Sequence, residues 1–299
     1  MTMPWTQPGA RGKDTVEPKR VTQYALNGPG YCPAAATVGV LPPNTYSIER
    51  HNDRQTIVPT PMTTDGLIEL PSSVSTEVIE EIRRFWGLEE SYRRHDMMHK
   101  RGFFLWGPPG SGKTCTIAYI VAEFIAMGGV VVLVNSTDPE YVSEALRDIR
   151  LVEPSRKLLV VLEDIDAYVE NWSEQGVLSL LDGEKTIDGI AFIVTTNYPE
   201  KLDGRIVNRP SRFDRVVRID MPSPEARAAY LRSKDVGLDD GQLDMWVRKT
   251  DGLSIAHLKE LIVGVRVLGG SFDEVLDRLR NMSKVPKSDS GKQGAGFFK

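Results

Sequence analysis

Phe103-Phe104-Leu105-Trp106-Gly107-Pro108-Pro109-Gly110-Ser111-Gly112-Lys113-Thr114-Cys115 decides the fold. Four consecutive apolar residues read as a buried strand, a glycine-rich turn follows, and Thr114 to about Met127 reads as a helix. Strand, turn and helix are the context that the pattern G-x-x-x-x-G-K-[ST] needs to be a phosphate-binding loop. Glycines let the backbone wrap closely, so that successive N–H groups and the helix N-terminus face an anion. Lys113 supplies charge to the β- and γ-phosphates, and the Thr114 hydroxyl is a ligand for Mg²⁺. Residues 107–115 are therefore the candidate segment for binding ATP or ADP with Mg²⁺.

Outward from this loop the chain alternates strand and helix. Val130 to Val134, Leu158 to Leu162 and Ile190 to Val194 are fully apolar runs, separated by helical patterns over Pro139 to Arg150 and Gln175 to Leu181. Such strands are buried on both faces, which predicts a parallel sheet covered by helices, an α/β doubly wound core. Thr116 to Val134 is apolar enough to imitate a membrane span, but Glu123 interrupts it and Gly128-Gly129 splits it into a helix-like and a strand-like half.

The expected organisation is an α/β domain over 71–221, a small helical lid over 222–282, and a disordered tail over 283–299. Residues 1–70 are proline-rich, with little apolar periodicity until a helical pattern begins at Ser72, and read as irregular.

Composition narrows the function. A chain of 299 residues, 40% hydrophobic and 26% charged, has the balance of a globular protein, and a net charge of -4 gives no global basic field to draw it onto nucleic acid. Cys32 and Cys115 form no disulfide or zinc framework, which points to a reducing compartment, the cytoplasm. The N-terminus has no apolar run of signal-peptide type, and no membrane span is expected.

Leu158 to Leu162 delivers the adjacent carboxylates Glu163 and Asp164 at a strand's C-terminal end, about 45 residues after the loop. In that place one acid serves magnesium and the other polarises water.

Gly102 to Thr114, Leu158 to Asp166, Thr195-Thr196-Asn197 and Arg209-Pro210-Ser211-Arg212-Phe213-Asp214 resemble, in order and spacing, the AAA ATPases. The chain looks most like the branch containing the mitochondrial translocase of the folded Rieske protein, through Tyr92, Arg101-Gly102, Glu163-Asp164 and Leu181-Asp182-Gly183. The resemblance covers about residues 72 to 282. It implies that Glu163 helps hold Mg²⁺, directly or through water, and that Asp164 positions the attacking water, with Asp166 in reserve. It further implies that Asn197 senses the γ-phosphate. Arg209 and Arg212 would be arginine fingers reaching into the next subunit's site, so that the protein would not work well as a monomer, and the family analogy implies a homo-oligomeric ring of six or seven subunits.

Gly252 to Leu258 resembles the segment over the adenine, making Ile255 and Ala256 candidate nucleotide contacts. Tyr141-Val142 falls near the family's pore loop, or else simply packs a helix.

The expected function is ATP-driven remodelling or translocation of a protein client. Two rivals stand beside it. One is a DNA-directed motor, favoured by Arg93-Arg94-His95 and His99-Lys100-Arg101 and weakened by the acidic total. The other is a nucleotide-gated binding module with little turnover.

Overall fold

The structure, a computed structural model, describes residues 21–27, 30–35, 37–51, 54–62, 74–182, 188–207 and 212–282. The chain divides into two units between Leu41 and Pro42. In the first, β1 (Val21–Asn27) and β2 (Gly30–Ala35) form an antiparallel hairpin.

The second unit is built on a seven-stranded sheet. Its elements run β3 (Asn44–His51), β4 (Arg54–Pro59), α1 (Val74–Trp86), α2 (Glu89–Arg94), β5 (Lys100–Trp106), α3 (Lys113–Ala126), β6 (Val130–Val134), α4 (Pro139–Val152), β7 (Leu158–Leu162), α5 (Ile165–Asn171), α6 (Glu174–Asp182), β8 (Ile190–Thr196), α7 (Gly204–Val207) and β9 (Arg215–Arg218). The strand order is β4-β3-β6-β7-β8-β5-β9, and every neighbouring pair is parallel except β3 with β4. All five residues of β7, the middle strand of the seven, are buried, as its unbroken apolar run requires.

On one face, Phe103, Leu105, Val131, Leu159, Val161 and Ile193 pack against α1 and α3. Alpha-1 supplies Val78, Ile82 and Phe85 at helical spacing, each buried side chain contributing about 1.5–3 kcal/mol. Phe192 turns to the opposite face, where it meets α4 and α6 at a cavity of 450 Å³. The apolar stretch from Thr116 to Val134 is α3 followed by β6, with the break at Gly128, whose φ of 84° suits glycine. Among the described residues no helix is long and apolar enough to cross a membrane.

The boundary expected at residue 70 is corrected, because β3 and β4 belong to the main sheet. Their burial is carried partly by hydroxyls. Tyr46 and Ile48 are buried beside Thr45 and Ser47, and the latter pair is satisfied by Thr60: Thr45 Oγ1 donates to Thr60 O at 2.5 Å, and Ser47 Oγ lies 2.7 Å from Thr60 Oγ1. A strand that alternates apolar residues with satisfied hydroxyls gives no apolar run, and the bracketing prolines read as loop. The tail 283–299 lies outside the described residues.

After β9 come α8 (Pro224–Lys234), α9 (Asp240–Lys249), α10 (Ile255–Ile262), a π-helical stretch Val263–Val267, and α11 (Phe272–Met282). Ser223, Asp239 and Ser254 cap the first three by accepting from Ala226 N, Gln242 N and His257 N. These helices enclose an apolar cluster of their own, including Tyr230, Leu231, Trp246, Leu258, Leu261 and Leu276.

Candidate functional site

The loop from Gly107 to Gly112 joins the C-terminal end of β5 to the start of α3. Gly112, at the N-cap of α3, has a φ of 106° and offers no side-chain cap, so the first amides of the helix have no side-chain oxygen from that position. Pro109 and Gly110 are exposed while Ser111 is buried, and Cys115 sits exposed on the first turn of α3.

Lys113 is only 7% exposed. Its ammonium donates to Gly107 O at 2.7 Å, Pro108 O at 3.1 Å and Asn197 Oδ1 at 2.7 Å. Burial pushes its pKa down, while the charges of Asp164 and Glu163 work against that shift.

The acids follow β7. Thr114 Oγ1 donates to Glu163 Oε2 at 2.6 Å, which brings two hard oxygens together at the start of α3. Mg²⁺ takes few protein oxygens and completes its shell with phosphate and water, so this pair fits it. Asp164 is exposed and has a left-handed backbone, φ 51° and ψ 53°, at the N-cap of α5. Its Oδ1 accepts from Asn197 Nδ2 at 3.1 Å, and its N–H donates to Thr195 Oγ1 at 3.2 Å. A carboxylate on one side and an ammonium on the other fix the orientation of the Asn197 amide. Lys113, Asn197 and Asp164 thus form one hydrogen-bonded line across the C-terminal ends of β7 and β8. Asp166 stands apart: buried, it accepts from Thr196 Oγ1 at 2.5 Å and ties α5 to β8. A cavity of 850 Å³ opens beside Glu163 and Asp164, lined also by Leu133, Asn135 and Tyr168.

Over the loop lies the N-terminus of α10. Gly110 has a φ of 78°, and a Cβ there would come within 2.8 Å of the Cβ of Ser254. Glycine is needed on both counts. Ile255, half-buried, and Ala256, exposed, are the first residues of α10 after that contact. His257 Nδ1 lies 2.6 Å from Ser254 Oγ, which also accepts from His257 N, so the ring is engaged at the helix start rather than presented to a ligand.

Arg212 is a correction. Expected to project into a neighbour's site, its guanidinium is 4% exposed and grips Asp182 with two bonds, Nε to Oδ1 at 2.5 Å and Nη2 to Oδ2 at 2.7 Å, while Nη1 donates to Arg205 O. Asp182 ends α6, where Lys100 also donates to the carbonyls of Leu181 and Asp182. Both favourable partners sit inside the subunit, which is why the side chain turns inward. Arg209 and Ser211 lie outside the described residues.

The basic stretch invoked for DNA is also largely spent internally. Arg93 pairs with Glu89 and Glu90, Arg101 pairs with Glu81 at 2.6 Å, and His99 is buried among Phe85, Trp86 and Tyr92. Tyr141 packs on the β3–β4 edge: the Arg50 guanidinium lies 4.6 Å from its ring centroid and donates to its hydroxyl, and Val142 is buried.

The sequence does not mark Thr195, Ser254 or Asp182 as site-forming by their chemistry. All three lie in family-like motifs, but nothing in a single sequence says which hydroxyl or carboxylate a loop will meet.

Comparison with known proteins shows what the chain is similar to. A family model described as "ATPase family associated with various cellular activities (AAA)" matches residues 103–221. The chain is 32% identical over 212 residues to the ATP-dependent zinc metalloprotease FtsH of Acidothermus cellulolyticus, covering 62% of this chain and 30% of that one. To the proteasome-activating nucleotidase of Methanothermobacter thermautotrophicus it is 26% identical over 66% of this chain and 54% of the other. To the mitochondrial chaperone BCS1 of Danio rerio it is 28% identical over 49% of this chain and 38% of the other. The chain therefore spans from under a third to about half the length of these relatives.

Proposed function

We propose that the chain, whose residues 103–221 match the AAA ATPase family model, hydrolyses MgATP within a homo-oligomeric ring, six or seven subunits in size, that remodels or translocates a protein client. The observation that carries the ATPase part is the line from Lys113 through Asn197 to Asp164, alongside the Thr114–Glu163 pair. Within it, a fixed cation, an amide and a carboxylate converge where a parallel sheet presents its ligands.

In this reading the loop amides from Gly107 to Thr114 and the Lys113 ammonium hold the phosphates. Thr114 and Glu163 are the oxygens for Mg²⁺, which when bound neutralises charge on the phosphates. Asp164, exposed and unused as a helix cap, orients and polarises the attacking water, and Asn197 Nδ2 holds that carboxylate in place. Ile255 and Ala256 lie against the base as α10 closes over Gly110. Arg209 is the remaining candidate to act on a neighbouring subunit's nucleotide.

The protein client rests on the chaperone and nucleotidase relatives, and the cytoplasm remains the proposed setting. The DNA-directed alternative loses support from the internal pairing of Arg93, Lys100 and Arg101.

Steady-state hydrolysis with and without Mg²⁺, run beside light scattering with and without ATP, tests the proposal. Magnesium-dependent turnover by a closed oligomer is expected. Tight binding with negligible turnover would instead make the chain a nucleotide-gated module, and full turnover by a monomer would remove the ring.

A further inference from the structure

Asp164 combines two features that call for a restraint. Its left-handed backbone is disfavoured for a non-glycine residue, and its N-cap position on α5 would ordinarily draw its carboxylate onto the first-turn amides. It makes no such cap, and its carboxylate faces Asn197 instead. Its carbonyl accepts from Ala167 N at 3.0 Å and Tyr168 N at 3.2 Å, as the start of α5 requires, and on the other side its N–H donates to Thr195 Oγ1 at 3.2 Å.

Thr195 is 2% exposed, on the stretch of β8 that continues past the last residue paired with β7, Val194 opposite Leu162. A buried hydroxyl is costly unless it is used, and valine, which precedes it at 194, would suit the strand as well. The next residue, Thr196, spends its own hydroxyl on the opposite side of the strand, donating to Asp166 and accepting from Tyr198 N. Two consecutive hydroxyls therefore clamp successive acids of the β7–α5 segment, and the one at 195 acts on the residue that faces the site.

We propose that Thr195 is a positioning residue for ATP hydrolysis: its hydroxyl fixes the left-handed turn at Asp164 and so aims that carboxylate at the attacking water. The proposal rests on the reading of Asp164 as the water-polarising group. It makes Thr195 matter for turnover and not for binding, since Lys113 and the loop amides hold the nucleotide independently of it.

The test compares the full chain with Thr195→Val, Thr195→Ser and Asp164→Asn for kcat, ATP affinity and thermal melting. Thr195→Val is expected to lower kcat about 10- to 100-fold, because small misplacements of a reacting group cost that much, with affinity within about threefold of wild type. Thr195→Ser restores the hydroxyl and should recover kcat to within about threefold. In the Asp164→Asn background, adding Thr195→Val should change the single-turnover rate by less than about twofold, since the two residues act as one unit.

If Thr195→Val turns over at the wild-type rate while Asp164→Asn is inactive, the proposal falls and the role of Asp164 stands. Turnover retained by Asp164→Asn overturns that role itself. A serine variant as slow as valine means shape rather than the hydroxyl matters, which also overturns the proposal. Should the valine variant fail to fold, alanine against serine decides: slow alanine and fast serine support the clamp, and equal rates refute it.

Discussion

Asp164 and Arg212 both belong to motifs that point at the nucleotide, yet the structure treats them in opposite ways. Asp164 is exposed, sits on a strained backbone and leaves the helix it begins uncapped. Arg212 is buried and directs three N–H donors to Asp182 and the carbonyl of Arg205. The difference separates two kinds of motif residue. One keeps hydrogen-bonding capacity open at a local energetic cost, as strained residues at functional sites often do. The other is bonded within its own subunit and holds elements together. Arg212 joins the end of α6 to the segment before β9, whose Asp214 accepts from Gly102 N at 2.9 Å and so fixes that segment to β5.

The largest effect expected on the ligand-facing side is at Lys113. Replacing it with alanine leaves the phosphates facing backbone dipoles alone, and MgATP affinity measured by isothermal titration should fall about 100-fold or more, as for loss of a charge-assisted contact of about 3 kcal/mol. An affinity within a few-fold of wild type would break the comparison, because a buried, triply bonded Lys113 would then also be a structural cation.

On the inward-bonded side, Arg212→Ala should act through stability. Its loss removes a two-bond ion pair from Asp182, which is about one-third exposed, and discounting for that solvent access the cost is about 2–3 kcal/mol, or a drop of about 5–10 °C in Tm. Nucleotide affinity of the isolated subunit should stay near wild type. An unchanged melting curve with turnover abolished would restore Arg212 as a group acting in trans.

A smaller effect belongs to the seam between loop and lid. Ser254→Ala removes the cap of α10 and should cost about 1 kcal/mol, read as a shift of about 2–4 °C in thermal melting. If α10 also lies against the base, ATP binding should recover part of that shift. No gain on adding ATP would detach the lid from the site.

Much of this was legible in the sequence because buried parallel strands write themselves as apolar runs. The runs at β6, β7 and β8 and the glycine pattern of the loop placed the acids and Asn197 at neighbouring strand ends. Beta-3 and β4 were not legible, since Thr45 and Ser47 are buried as satisfied hydroxyls, and that satisfaction depends on Thr60 across the hairpin. Arg212 was misdirected for a related reason. A motif gives the residue type, but whether a guanidinium points out or in depends on partners such as Asp182, which lies 30 residues earlier and meets it only in the fold. His99-Lys100-Arg101 looked like a basic patch for the same reason, because linear charge does not reveal the carbonyls of α6 or the Glu81 carboxylate that absorb it.

The most direct test of the central assignment is ATP binding and turnover measured together on Asp164→Asn. The carboxamide keeps the shape and can still hydrogen-bond to Asn197 but is a far poorer base, so affinity should stay within about threefold while kcat falls about 100-fold or more. Turnover within about twofold of wild type, or a Glu163→Gln variant that binds and fails to turn over while Asp164→Asn remains active, would contradict it.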